Sequence, residues 1–151
     1  NAVSHNYFSY VFDRTTDHVE TCSCPVCAYI RWFNEGEPIQ FIADITELNL
    51  SDVHSLFASR YKSGHFLSPH HDSTHGQLAM VYHLSRKWRP EFGGLLHILE
   101  DDFHTVTKVV QPSFNTLHLM HLDHLDGTPH FVSAIAPGIN CCRFAISGWL
   151  R

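Results

Sequence analysis

After Ser51, glycine and proline interrupt the chain so often that long helices have no room. Gly64, Pro69, Pro90 with Gly93 and Gly94, Pro112, Gly127 with Pro129, and Pro137 with Gly138 each impose a fixed or positive φ that a helix interior rejects. Between these breaks, short apolar runs recur at 55–61, 66–71, 78–84, 95–100, 108–110, 116–121, 130–135 and 142–150. Eight short strands at this spacing suit a jelly roll. The residues before them differ: aromatic Tyr7, Phe8, Tyr10 and Phe12, a cysteine cluster, and a stretch near Phe41 to Leu48 that fits a helix or a strand. We therefore expect a single domain over 1–151, with an N-terminal support region, 1–54, that includes some helix. The core, 55–151, is expected to be all-β, a double-stranded β-helix (jelly roll). A chain of 151 residues can bury one core, so one active site is expected.

Composition narrows the partners. A hydrophobic fraction of 44% with 17% charged residues is that of an ordinary globular chain rather than a disordered one. No apolar run approaches the roughly 20 residues needed to cross a bilayer, so no membrane partner is expected. The net charge of −5 and the lack of a Lys/Arg run give no field for a phosphate backbone, so direct nucleic-acid binding is not expected. The segment opening at Asn1 lacks the pattern of a secretory signal, and lacks an initiator Met, so upstream residues are expected to have been removed. Five cysteines, an odd number, argue against a full disulfide framework and for a reducing, cytoplasmic setting. Oligomeric state is left open.

Fourteen histidines are the one compositional excess, and spacing must choose among them. His70 and Asp72 lie two residues apart at the end of a run, so in a strand they share a face while His71 points away. A third ligand must come from elsewhere, and His130 opens a later strand that a jelly roll can bring alongside. Two imidazoles and one carboxylate on one face leave three adjacent positions open on an octahedral metal, the arrangement of non-haem Fe(II) oxygenases. Zn²⁺ accepts the same donors. Further along, Arg143, Ala145 and Ser147 share a face by period two. An inward Arg in a small barrel is costly unless it meets an anion. Its planar guanidinium matches a carboxylate in bidentate fashion, and Ser147 can add a hydroxyl.

Several stretches together carry a resemblance. Tyr61-x-x-Gly64-x-Phe66 leads into His70-x-Asp72, followed by the segment from Tyr82 to Trp88 and the run Pro90-Glu-Phe-Gly93-Gly94. Then come Gln111-Pro-Ser-Phe-Asn115, His130-x-Val132 and Arg143-x-Ala-x-Ser147-Gly-Trp149. In order and spacing, 55–151 resembles the prolyl 4-hydroxylase-like branch of the 2-oxoglutarate/Fe(II)-dependent dioxygenases. The Pro-Glu-Phe-Gly-Gly and Ile-Ser-Gly-Trp stretches are most similar to a subgroup that includes prolyl hydroxylases of a ribosomal protein and oxygen-dependent regulators.

That resemblance implies a hydroxylase of a protein side chain, a prolyl ring among the candidates, or of a small molecule, with release of succinate and CO₂. It implies Fe(II) on His70, Asp72 and His130, with 2-oxoglutarate as co-substrate and ascorbate as an optional reductant. Arg143 would bind the far carboxylate of 2-oxoglutarate with Ser147 nearby, and Tyr61 would line the pocket. His83 stands where relatives often carry a Tyr, and its imidazole N–H could serve instead. The Gly93-Gly94 turn reads as architecture that lets the next strand pass close. A silent, cupin-like jelly roll that senses metal or mediates contacts is the alternative, as is a cupin-type Zn²⁺ or Mn²⁺ enzyme.

Other residues have plainer readings. His121 or His124 could be the distal ligand, although His130 is preferred for its following Val and its distance to Arg143. His118 lies close to them, and His97 either packs or reaches a substrate pocket. His5, His18, His54, His65, His75 and His104 are assigned no role. Cys22, Cys24 and Cys27, preceded by His18, could hold a structural zinc or be a loop of reduced thiols. Cys141 and Cys142 are expected to alternate faces on the last strand. Trp88 and Trp149 are expected in the core, Asp101 and Asp102 in a solvated turn, and Phe66 is a candidate pocket residue.

Overall fold

The computed structural model of the chain describes residues 9–15, 22–72, 75–122 and 127–151. Tyr7, Phe8, His5, His18 and His124 lie outside them. The eight expected strands form at β3 (Val53–Tyr61), β4 (Phe66–His70), β5 (Leu78–His83), β6 (Leu96–Leu99), β7 (Val106–Val110), β8 (Thr116–His121), β9 (His130–Val132) and β10 (Arg143–Leu150). Two short strands precede them, β1 (Tyr10–Val11) and β2 (Asp13–Arg14). They assemble into two antiparallel five-stranded sheets, ordered β1-β4-β9-β6-β7 and β2-β3-β10-β5-β8. Alternate hairpin strands are dealt to opposite sheets, the interleaving that defines the expected jelly roll.

Among its described residues, the region expected to bring helix carries two. Helix α1 (Pro25–Asn34) starts at Cys24, whose extended backbone and Sγ, accepting the Cys27 N–H at 3.4 Å, supply the cap, with Pro25 in the first turn. The stretch near Phe41 to Leu48 belongs to α2 (Glu37–Thr46), which has Glu37 at its positive end and stops where Glu47 turns left-handed at φ 58. Ile30, Phe33, Ile39 and Ile42 bury their apolar sides against Leu56, Leu78, Met80, Ile146 and Leu150 of the second sheet. Register fixes the other face. Arg143 pairs with Tyr61, Ala145 with Ser59 and His83, and Ser147 with Phe57 and Val81, so these residues alternate with the helix-packed set and turn inward. Gly148 makes this possible, because a Cβ there would lie 2.2 Å from the Ser55 carbonyl oxygen.

Between the sheets, Tyr61, Trp88, Leu96, Val110, Val132 and Ile135 form a second core. Trp88 sits in it as expected, its indole N–H donating to the Gly93 carbonyl at 2.9 Å. Gly93 adopts φ +71 with the Ala134 carbonyl oxygen only 2.1 Å from where a Cβ would stand. The Gly-Gly turn is thus a close backbone crossing. Cys141 and Cys142 precede β10 instead of lying on it, one exposed and one half-buried. The two N-terminal strands were not foreseen: two residues each are too few to show a period. β1 pairs with β4 and β2 with β3, so one short ribbon joins both sheets. Asp13 fastens it through Arg60 at 2.7 Å and Lys62 at 3.1 Å, and Phe12 stacks on Tyr61 at 4.8 Å. Among the described residues no helix is long and apolar enough to cross a membrane.

Candidate metal centre and anion pocket

β4 and β9 carry the site because of an irregularity. Leu67 faces Val132 across the two strands, and three residues later His70 faces His130, while β9 advances only two. β4 therefore holds one extra residue, a bulge at Ser68-Pro69 where proline has no ladder hydrogen to give. A regular strand would turn His70 outward if Leu67 faced in. The extra residue reverses that parity, so both face inward. Phe66, on the opposite parity from Leu67, faces away from the cavity, and Leu67 lines it instead. Asp72 follows two residues after His70, just beyond the strand.

His70 Nε2 lies 3.4 Å from Asp72 Oδ1, and His130 Nε2 lies 3.5 Å from Asp72 Oδ2. The two imidazole centroids are 4.3 Å apart, and one ligand atom from each of the three residues falls within 4.8 Å of the others. Each ring has its Nδ1 against a backbone carbonyl: Ser68 for His70 at 3.0 Å, and Thr128 for His130 at 2.9 Å. Those bonds place the proton on Nδ1 and leave both Nε2 lone pairs aimed at the common point. Burial opposes ionisation of Asp72, but the His70 and His130 rings beside it outweigh that and hold the carboxyl at about 2. Burial pushes the His130 imidazole below its ordinary value, which keeps it neutral and able to donate a lone pair. His71 turns instead to the Gly127 carbonyl at 3.2 Å and meets Phe103 edge-on.

One alternative distal donor falls elsewhere. His121 pairs with Leu78 on the parity that faces the helices, and His124 lies outside the described residues. His118 does face inward, but its ring stands edge-on to His83 at 5.1 Å. His97 faces away from the cavity, pairing and stacking on Phe131 at 4.3 Å, because it alternates with the inward Leu96 and Ile98.

Arg143, Ser147, Tyr61 and the three donors line one cavity of about 270 Å³. That is just under the usual 300–1,000 Å³ of ligand pockets. Arg143 is only 2% exposed, with its guanidinium 4.8 Å from the Tyr61 ring centroid and its Nε without a hydrogen-bond partner. Burial lowers its pKa, opposed by Tyr61 alone; no carboxylate among the described residues offsets the charge. The Tyr61 phenol, raised by burial to about 12 against the pull of Arg143, stays protonated. Gly94 presses on the arginine stem, since a Cβ there would stand 3.2 Å from Arg143 Cδ.

His83 is fully buried behind this cation, does not line the cavity, and has both ring nitrogens unpartnered. Burial, then Arg143 and His118, lower its pKa to about 3 from 6.5. The unfolded chain therefore takes up a proton that the folded one refuses. The stability from neutral His83 is complete above about pH 6.5 and is lost as pH falls toward 3, at up to about 1.4 kcal/mol per pH unit. We expect urea denaturation of His83→Gln to show a shallower loss of stability between about pH 6 and pH 4, by that amount per unit.

Trp149 belongs to the site, although its aromatic character suggested core. Two steps beyond Ser147 on the inner face, it lines the cavity, stacks on His75 at 4.5 Å and brings its indole N–H toward Asp72. That N–H meets no acceptor at full hydrogen-bond geometry, so its support to the carboxylate is weaker than that of His70. Its period-two spacing from Arg143 was the available signal. Cys22, Cys24 and Cys27 also converge, at the start of α1.

Residues 56–151, well over half of the chain, match the family model described as 2OG-Fe(II) oxygenase superfamily. A comparison with curated proteins finds no match. Among solved structures, a Pseudomonas putida prolyl-4-hydroxylase aligns at TM-score 0.66 and 18% identity, over 98% of this chain and 74% of that one. A Trichoplax adhaerens prolyl hydroxylase, in complex with a hypoxia inducible factor oxygen degradation domain peptide fragment, aligns at 0.55 and 22%, over 67% of this chain. This chain spans only 44% of that neighbour. A viral collagen prolyl hydroxylase from Paramecium Bursaria Chlorella virus-1 aligns at 0.61 and 11%, over 93% of this chain and 79% of that one. At these identities the neighbours establish a shared fold.

Proposed function

Because the chain belongs to the 2OG-Fe(II) oxygenase superfamily, we propose that it hydroxylates a protein side chain, such as a prolyl ring, or a small molecule, using Fe(II) and 2-oxoglutarate. One observation carries this reading: a three-donor cluster open to a cavity that also contains a buried, acid-free guanidinium. The donor set fits iron, since two neutral imidazoles and a carboxylate leave adjacent positions for co-substrate and O₂. The guanidinium fits a dicarboxylate, which would supply the charge that Arg143 lacks. A silent metal-binding jelly roll leaves that arginine unexplained. The peptide-bound Trichoplax neighbour favours a protein substrate over a small molecule.

Iron and 2-oxoglutarate, when bound, supply oxidative decarboxylation to succinate and CO₂ coupled to hydroxylation of an unactivated carbon. The residues do the rest. His70 and His130 present Nε2, locked by the Ser68 and Thr128 carbonyls, and Asp72 supplies the compensating charge. Arg143 receives the distal carboxylate, Ser147 adds a hydroxyl, and the protonated Tyr61 covers the guanidinium from the ribbon side. His83 stays neutral behind them, so it sets no like charge against Arg143. Trp149 turns its N–H toward Asp72, and we expect Trp149→Phe to lower iron affinity or turnover by ~10-fold at most, the low end of the cost of losing an outer partner of a metal ligand. Iron titration alongside steady-state kinetics checks this.

The direct test incubates the protein with Fe(II), 2-oxoglutarate and candidate peptides or amino acids, with and without ascorbate. Stoichiometric succinate and an acceptor heavier by one oxygen atom are expected. Under anaerobic conditions a metal-to-ligand charge-transfer band should form only when both Fe(II) and 2-oxoglutarate are present. Iron binding with no such band and no succinate would refute the reading.

A further inference from the structure

The cysteines at the head of α1 play no part in the chemistry above, and their geometry is specific. Cys22, Cys24 and Cys27 bring their three Sγ atoms within 4.8 Å of one another. Cys24 is the focus: it accepts the Cys27 backbone N–H at 3.4 Å and interacts with the thiols of both Cys22 and Cys27. Cys24 is exposed and the other two half-buried, so the cluster is open to an ion from solvent. Arg31, one helical turn on, donates to the Cys22 carbonyl and holds the segment leading into the helix against it. None of the five cysteines is in a disulfide.

We propose that Cys22, Cys24 and Cys27 form a thiolate site for a soft divalent cation of the zinc type, separate from the His70, Asp72 and His130 centre. Three chemical facts favour metal over the other uses of a thiol cluster. A dithiol switch needs two sulfurs, whereas three converge here, and three thiolates are the donor set of Cys₃ zinc sites. A tetrahedral ion held by three protein donors keeps its fourth position for water or a small thiol. The cluster also sits where negative charge is stabilised: the first-turn N–H groups of α1 face it, and hydrogen bonds from the Cys27 backbone and the Cys22 and Cys27 side chains lower the Cys24 thiol to about 7. These contacts favour the thiolate of Cys24, and a bound cation would displace the thiol protons of the cluster.

The site also has a structural consequence. α1 buries Ile30 and Phe33 against the outer face of the second sheet, the sheet whose inner face carries Tyr61, Arg143 and Trp149. An ion clamping 22–27 fixes the helix start and the chain leading into it, so binding should raise Tm by mass action.

The experiment uses reduced, iron-loaded protein titrated with Co²⁺ as a spectroscopic substitute for Zn²⁺. A thiolate-to-cobalt charge-transfer band reaching its plateau at one equivalent is expected, and Zn²⁺ should abolish it. Cys24→Ser should lose the band, whereas Cys141→Ser and Cys142→Ser should keep it. His130→Ala should also keep it, which separates this site from the iron centre and from the proposed oxygenase function. Wild-type protein gives a second reading that needs no variant: Zn²⁺ should protect Cys22, Cys24 and Cys27, but not Cys141 or Cys142, from alkylation read by peptide mass spectrometry. No band in the wild type, a band that survives Cys24→Ser, or a Cys24–Cys27 disulfide forming in air with no metal uptake by the reduced protein would each overturn the proposal.

Discussion

Asp72→Asn is expected to leave the fold standing while 2-oxoglutarate-dependent turnover disappears. Asn keeps the shape of the side chain and removes its charge, so the strands that position His70 and His130 are undisturbed. What is lost is the anion between two imidazoles, 3.4 Å from one Nε2 and 3.5 Å from the other. Iron then meets neutral donors only, and its affinity should fall by more than the ~100-fold seen when a mere outer partner of a ligand is removed. Circular dichroism, an anaerobic iron titration and succinate production measure the three parts separately. Unchanged succinate production in this variant would refute the site.

Arg143→Leu should separate stability from activity in opposite directions. The guanidinium is 2% exposed and no acid among the described residues offsets it, so the metal-free protein carries the desolvation cost with little return. Replacing such a buried charge by an apolar side chain is neutral or stabilising by about 1–4 kcal/mol, so urea denaturation of the metal-free variant should show equal or higher stability. Co-substrate binding should weaken by about 2–5 kcal/mol, ~30-fold to several thousandfold, the usual cost of truncating one member of a buried charge pair. The KM for 2-oxoglutarate should carry most of that. Arg143→Lys should recover part of it, since a point charge replaces a bidentate fork. A variant less stable without ligands yet normal in its KM would mean that the arginine serves the core rather than an anion.

Much of this was legible in the residues. Breakers and short apolar runs gave the jelly roll, and period two put His70 with Asp72 and Arg143 with Ser147. The same rule, carried past Ser147, would have placed Trp149 on the inner face, but its size argued for core. Period two says which residues share a face and cannot say which face is inside. The bulge at Ser68-Pro69 decides that for His70, and it is visible only once β9 is paired with β4. The failed expectation at Phe66 has the same origin, being one residue off the inward parity, and the same parity decides that His97 packs on Phe131 instead of reaching a pocket. The ribbon of β1 and β2 escaped because its strands are held by partners far along the chain rather than by their own pattern.

That ribbon works as a clasp. It grips one strand of each sheet and sets Phe12 against Tyr61, so a protease cutting within it would leave His70, His130 and Arg143 in place on β4, β9 and β10, and Asp72 just beyond β4. The side wall over the arginine would nevertheless swing loose, admitting water to a charge that the intact chain keeps dry. Grip on the co-substrate would slacken with none of its contacts altered, so nicked and whole molecules would differ in the strength of that hold rather than in the chemistry they perform.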